Sequence, residues 1–299
     1  VNCLRTFAGT RNIAASFSFY TGEWLQTTDI NSVQEGVTAS IVGIHRLARF
    51  AFISDVHGNL QALEAVLACI DDKGVDATLC LGDVVGYGAH PGECLDIIAD
   101  RNIFTIQGNH DLSIIDDVEA HRFNPTARLS LDYTRDCLSD AHREQIASMP
   151  RLADLDDATL CHASPVSDGC SDYIHDQQIA ALAYGGFANH CLFVGHTHIP
   201  IAFGTPEVGY AAVEPKNVRV AFLPPNLPLR LDCHYRYIIN PGSVGQPRDG
   251  NPDASFGILD VSQRTFTVHR VPYPIEQTQA AIIEAGLPNF LAHRLRLGA

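Results

Sequence analysis

A chain of 299 residues, 46% of them hydrophobic, can bury one large core, or one domain with an appendage. Its net charge is −14, from 20 basic and 34 acidic side chains, and no run of Lys or Arg occurs. That balance excludes a duplex nucleic acid as the expected partner, whereas a small nucleotide stays open because bound cations would supply local positive charge.

The nine cysteines are scattered with no C-x-x-C pair, the usage expected of free thiols in a reducing compartment. Cys80, Cys161 and Cys191 lie in apolar, strand-like runs and read as small core residues. No apolar stretch reaches the roughly 18 residues that span a bilayer, so no membrane partner is expected. The segment 13–20, behind Arg5 and Arg11, has the outline of a secretory leader but is short, broken by serines and followed by no cleavage site. The expected compartment is the cytoplasm.

In chain order, the first 48 residues mix Phe7, Phe17, Phe19, Tyr20 and Trp24 with Thr, Ser, Asn and Gly, without a sustained period. They are expected to be a poorly ordered extension to the domain at 49–299, or a product of start-site choice, since the chain opens on Val1. From Arg49 the pattern tightens. Residues 50–53 predict a buried strand, and Leu60, Leu63, Val66, Leu67 and Ile70 recur at helical spacing. A second strand is predicted over 77–81, a helix from Pro91 to about Asp100, and a third strand over 103–106. This alternation is that of a layered α/β domain. Residues 124–149 predict two helices broken near Ser139, 158–161 a strand, 176–184 a helix ending at Gly185 and Gly186, and 192–194 a strand. The Pro- and Gly-rich remainder to Val271 suggests hairpins and a second sheet, closed by helices over 274–285 and 289–297.

The chemistry-bearing residues all follow predicted strands. Asp55 and His57 follow the first, Asp83 the second, Asn109, His110 and Asp111 the third, His162 the fourth, and His196 and His198 the fifth. Sites in open α/β sheets form outside the carboxyl ends of strands, so five strands are expected to deliver these groups to one rim of one sheet. Each piece alone has a plain alternative. Asp-x-His can be a turn, Gly-Asn-His-Asp can be helix-capping chemistry, and a lone His can be satisfied by a carbonyl. Five coincidences at successive strand ends decide for a metal site, and Gly195 would let His196 and His198 aim at one place. Carboxylate, imidazole and amide oxygen without thiolate suit Mn²⁺, Fe²⁺, Zn²⁺ or Ni²⁺. Seven ligands are too many for one ion and suit two, about 3.5–4 Å apart, sharing a carboxylate.

Asp55-x-His57, Gly82-Asp83-x-x-Gly86-Tyr87, Gly108-Asn109-His110-Asp111, His162 and Gly195-His196-Thr197-His198, in that order, resemble the calcineurin-like metallophosphoesterase family, nearest its small bacterial and archaeal phosphodiesterases. The run from Asn240 through Ser243 to Gly250 supports the resemblance, which covers residues from about 49 to the end. It implies a four-layer α/β/β/α sandwich of two mixed sheets with outer helices. Asp55, His57 and His198 would bind one of two divalent ions, Mn²⁺ being expected first and Fe²⁺, Zn²⁺ or Ni²⁺ next; Asn109, His162 and His196 would bind the other, and Asp83 would bridge them. A hydroxide between the ions would attack phosphorus, His110 would act as general acid on the leaving oxygen, and Asp111 would orient the His110 ring.

Two departures narrow the substrate. Protein Ser/Thr phosphatases of this family carry an Arg where this chain has Gln107, and Asp-Arg-Gly where it has residues 85–87. Purple acid phosphatases carry a Tyr at the position of Gly86. Phosphodiesters or nucleotides are therefore the expected small-molecule substrates. Phosphomonoesters and dinucleoside polyphosphates are the alternative, and a metal-free protein-binding scaffold is disfavoured because every ligand position is filled. Two readings of residues 240–243 stay open, a place near the site and turn chemistry alone; Arg248 has either a substrate or a carboxylate partner, and His90, Arg122 and His175 stay unplaced.

Overall fold

The computed structural model describes residues 48–299 except 168, 170 and 207–211, together with short strands at 16–17 and 38–41. Its described strands form two mixed sheets. From the N-terminus they are β1 (Ser16–Phe17), β2 (Thr38–Ile41), β3 (Arg49–Ile53), β4 (Ala77–Cys80), β5 (Phe104–Thr105), β6 (Leu152–Leu155) and β7 (Ala158–Cys161). There follow β8 (Cys191–Phe193), β9 (Pro200–Pro206), β10 (Arg219–Phe222), β11 (Leu229–Arg230), β12 (Tyr235–Pro241), β13 (Ala254–Asp260) and β14 (Thr265–Val271). One sheet runs β11-β14-β13-β3-β4-β5, the other β1-β2-β6-β7-β8-β12-β9-β10.

The strand β3 shows why the sheets face each other. Phe50 and Phe52 enter the core between the sheets, while Ala51 and Ile53 enter the core under the helices. A strand buried on both faces needs an unbroken apolar run, and 50–53 supplies it. Phe52 stacks on Phe193 of the other sheet, ring centroids 4.0 Å apart. Truncating it to Ala would cost about 3–5 kcal/mol.

The outer face of the first sheet is covered by α1 (Leu60–Lys73), α2 (Pro91–Asp100) and α8 (Ile275–Glu284), that of the second by α7 (Gln177–Ala183). Asn59 caps α1 by accepting from Ala62 N at 3.2 Å, and Gly74 ends it in the left-handed conformation. The chain from β5 to β6 forms α3 (Asn109–Ile115), α4 (Asp117–Ala120), α5 (Pro125–Cys137) and α6 (Asp140–Ser148), which share the core of α1 and α2, with Ser139 capping α6 at the expected break. The helix α9 (Asn289–Leu295) packs on α8.

The fold is the expected four-layer sandwich, with two differences in how it is assembled. Strands after residue 200 make no sheet of their own: β9, β10 and β12 extend the sheet of β8, and β11, β13 and β14 extend that of β3. The helix α3 was not expected, because its residues from Asn109 to Ile114 are all buried and show no polar face. The strand β2 pairs in parallel with β6, Thr38 opposite Leu152; most of the expected extension lies outside the described residues.

Candidate metal centre

The site lies where β3, β4 and β5 of one sheet and β7 and β8 of the other all end. This corrects the expectation of one rim of one sheet: Asp55, His57, Asp83 and Asn109 come from the first sheet's side, His162, His196 and His198 from the second's. All seven are buried.

Five of them leave their strands in left-handed backbone: Asp55 (φ 54°), His57 (50°), Asp83 (53°), His196 (66°) and His198 (62°). Such a conformation costs a non-glycine residue about 1–3 kcal/mol and persists only where the surroundings enforce it. Here the enforcement is a lattice of backbone bonds. Asp55 N donates to Gly82 O and His57 N to Asp83 O, while Asp55 O accepts from Gly245 N, each at 2.9 Å. The Asp55 carboxylate accepts the His196 N–H at 3.1 and 3.2 Å, tying one sheet to the other. Gly195 permits this approach, since a Cβ there would lie 1.9 Å from Ser54 Oγ. Its role is closeness rather than looseness, and His196 and His198 diverge into separate clusters instead of sharing one.

Asp55, His57 and His198 form one cluster, and Asp83, His162 and His196 another, the candidate ligand atoms in each lying within 4.8 Å of one another. Asp83 Oδ2 stands between them, 3.7 Å from His57 Nε2 and 3.2 Å from His162 Nε2. His57, Asp83 and His110 form a third overlapping group.

The polar atoms fit a pair of cations. His57 Nδ1 faces Val85 O at 3.1 Å and His198 Nδ1 faces Gln246 O at 2.6 Å, so both Nδ1 atoms carry the proton and donate. Their Nε2 lone pairs then confront each other at 3.2 Å, a repulsive arrangement unless a cation lies between. The second cluster repeats the pattern: His162 Nδ1 donates to Leu81 O and His196 Nε2 to Ser171 O, leaving His162 Nε2 and His196 Nδ1 facing each other at 3.1 Å. Asn109 Oδ1 is buried without any partner, as a ligand oxygen would be. Electrostatics agree. Burial pulls the His162 pKa down, but the charge of Asp83 outweighs it and lifts it to about 9, so in the metal-free protein a proton takes the cation's place.

His110 sits against His57, Tyr87 and Phe123, ring centroids 4.8, 4.5 and 4.6 Å away. Gly86 (φ 90°) makes room for it, since a Cβ there would lie 2.3 Å from His110 Nδ1. The expectation that Asp111 orients this ring is corrected. Its carboxylate accepts four backbone N–H groups, from Asp83, Val84, Val85 and Gly108 at 2.7–3.2 Å, and so locks the Asp83 loop to the start of α3.

Sequence reasoning left residues 240–243 as possible turn chemistry. They hold the loops of the candidate ligands: Asn240 Nδ2 donates to Gly195 O at 2.5 Å and Thr197 Oγ1 at 3.0 Å, and Ser243 Oγ donates to Asp55 O at 2.8 Å. It missed Tyr173, which stacks on His196 with centroids 3.8 Å apart. His90, Arg122 and His175 instead pair with Glu93, Glu119 and Asp176.

The family model of the calcineurin-like phosphoesterase superfamily domain matches residues 49–264. The chain belongs to this superfamily. It is 40% identical to a metallophosphoesterase from Sphaerobacter thermophilus whose crystal structure superposes with a TM-score of 0.73, covering 85% of this chain and 100% of that one. It is 34% identical over 253 residues to an uncharacterised protein of Methanocaldococcus jannaschii, covering 83% of this chain and 97% of the relative. Over 228 residues it is 25% identical to the phosphodiesterase YfcE of Escherichia coli, covering 72% and 88% respectively. The chain is accordingly a phosphoesterase-type hydrolase, and no helix among its described residues is long and apolar enough to cross a membrane.

Proposed function

We propose that the chain hydrolyses phosphodiesters or nucleotides at two divalent ions, Mn²⁺ foremost, with Fe²⁺, Zn²⁺ or Ni²⁺ as the other candidates. The observation that carries this reading is the pair of confronted imidazole lone pairs on either side of Asp83. Asp55, His57 and His198 would hold one ion, Asn109, His162 and His196 the other, and Asp83 both. Two such ions lower the pKa of a shared water and neutralise charge on phosphoryl oxygens.

The chain's own part is to position and to move a proton. Burial holds the His110 pKa at about 4, so its ring is neutral at pH 7 without substrate. An anionic phosphoryl group beside the ring raises that value and restores the proton, which His110 then gives to the leaving oxygen. Asp111 acts at one remove, by fixing the loop that carries Asp83. The domain at 49–299 holds every site residue, and residues 1–48 are an appendage to it. The nine cysteines carry no C-x-x-C spacing, which supports a cytoplasmic setting.

Metal content of the purified protein and rates on bis- and mono-p-nitrophenyl phosphate test the reading together. About two ions per chain and faster turnover of the diester are expected. Preference for the monoester would move the substrate to phosphomonoesters, and a metal-free protein inert on both esters would leave only a scaffold role.

A further inference from the structure

Arg248 stands next to the first ligand cluster. Its backbone N–H donates to His198 O at 3.3 Å, and it follows by two residues the Gln246 carbonyl that accepts from His198 Nδ1. The side chain's Nη2 donates to Gln246 Oε1 at 2.9 Å, while Nε is buried with no hydrogen-bond partner. No carboxylate pairs with it among the described residues, and the neighbouring Asp249 is engaged by Arg270. A buried guanidinium N–H left unmet costs about 1–3 kcal/mol. In a chain with 34 acidic side chains against 20 basic ones, a guanidinium held without a carboxylate needs a reason. Its positive charge bears on Asp55, His57, His198 and His110, which places it over the same centre.

The positions where related phosphatases keep arginines offer no such group. Gln107 turns its amide away, Nε2 donating to Ile146 O at 2.9 Å, and Gly86 has no side chain. We infer that Arg248 is the phosphoryl clamp of this enzyme, its free Nε–H and remaining Nη–H groups donating to non-bridging oxygens of the ester on the His57–His198 side. A planar fork of donors matches an anionic phosphoryl group and not a neutral ester. The substrate class is therefore esters that keep a negative non-bridging oxygen. The inference rests on the phosphoesterase reading above and goes beyond it in naming the residue that recognises the anion.

Arg248→Gln and Arg248→Lys test it in the metal-loaded protein. With metal content unchanged, R248Q is expected to raise KM for bis-p-nitrophenyl phosphate and to weaken binding of inorganic phosphate roughly 10- to 100-fold, the range of a charge-assisted pair. Millimolar guanidinium should restore part of the loss, a response that a merely structural role would not give. Unchanged KM and unchanged phosphate binding, with both ions retained, overturn the inference. Should R248Q lose metal, R248K decides by the same phosphate measurement. Calorimetric phosphate binding stays readable even if no ester is turned over, so failure of the clamp and failure of the phosphoesterase reading are told apart.

Discussion

Asp83 divides its carboxylate between two tasks: Oδ2 lies 3.2 Å from His162 Nε2 at the junction of the two clusters, and Oδ1 accepts the His110 backbone N–H at 2.9 Å. One side chain thus positions both the metal junction and the proposed proton donor. Asp83→Asn should lower turnover well beyond the 10–100-fold typical of outer-shell changes, and more than loss of His57 or His196. Near-normal turnover with two ions bound would sink the bridging assignment.

His110 separates two modes of catalysis. If it protonates the leaving oxygen, His110→Ala should cost little on p-nitrophenyl esters, whose phenolate departs unaided. On an alkyl or ribose leaving group the loss should reach roughly 10²–10⁴-fold. Equal losses on both would show that the ring serves the phosphoryl oxygens instead, and loss of an ion would make it a ligand.

Asp111→Asn should behave differently, because its four partners are backbone donors rather than the His110 ring. A carboxamide puts an NH₂ against N–H groups that need an acceptor. We expect a loss of about 2–4 kcal/mol in denaturant unfolding and equal activity losses on good and poor leaving groups. A leaving-group-dependent loss at unchanged stability would restore a direct action on the ring.

The metal-free protein should lose stability in acid. Burial holds His110 at about 4 and His196 at about 3, and keeps His57 and His198 well below the ordinary value, while His162, lifted to about 9, already carries its proton. Unfolded, all five titrate near ~6.5. Opposing them, burial raises Asp55 to about 6 and Asp111 to about 7, so near pH ~5 the folded state holds about three protons, on His162, Asp55 and Asp111, where the unfolded state holds about five. More protons bind the unfolded chain, and stability falls as pH drops from ~6.5 towards ~4. Thermal melts in chelator should show this decline, and a flat profile would contradict it.

Removing residues 1–45 takes away β1 and β2 and uncovers the edge of β6, yet touches no site residue. Turnover per folded molecule should be unchanged. Loss of activity in a soluble truncated protein would show that the segment acts on the centre.

The residues gathered in the two clusters were legible because each follows a short apolar run, and strand ends are where side chains escape a sheet. The sharing of that rim by two sheets was not, since residues 158–161 and 192–194 look the same whichever sheet they join. The helix α3 hid because burial on all sides erases the helical period. The work of Asp111 and Asn240 was equally silent in sequence, because their partners are backbone atoms far along the chain, which carry no residue signature.

Because each candidate cluster draws its side chains from both sheets, neither half of the sandwich would offer a complete coordination shell. Metal capture would then wait until the halves have docked. The ion would be the last piece to enter during folding, and its uptake a clock for the final closure of the molecule.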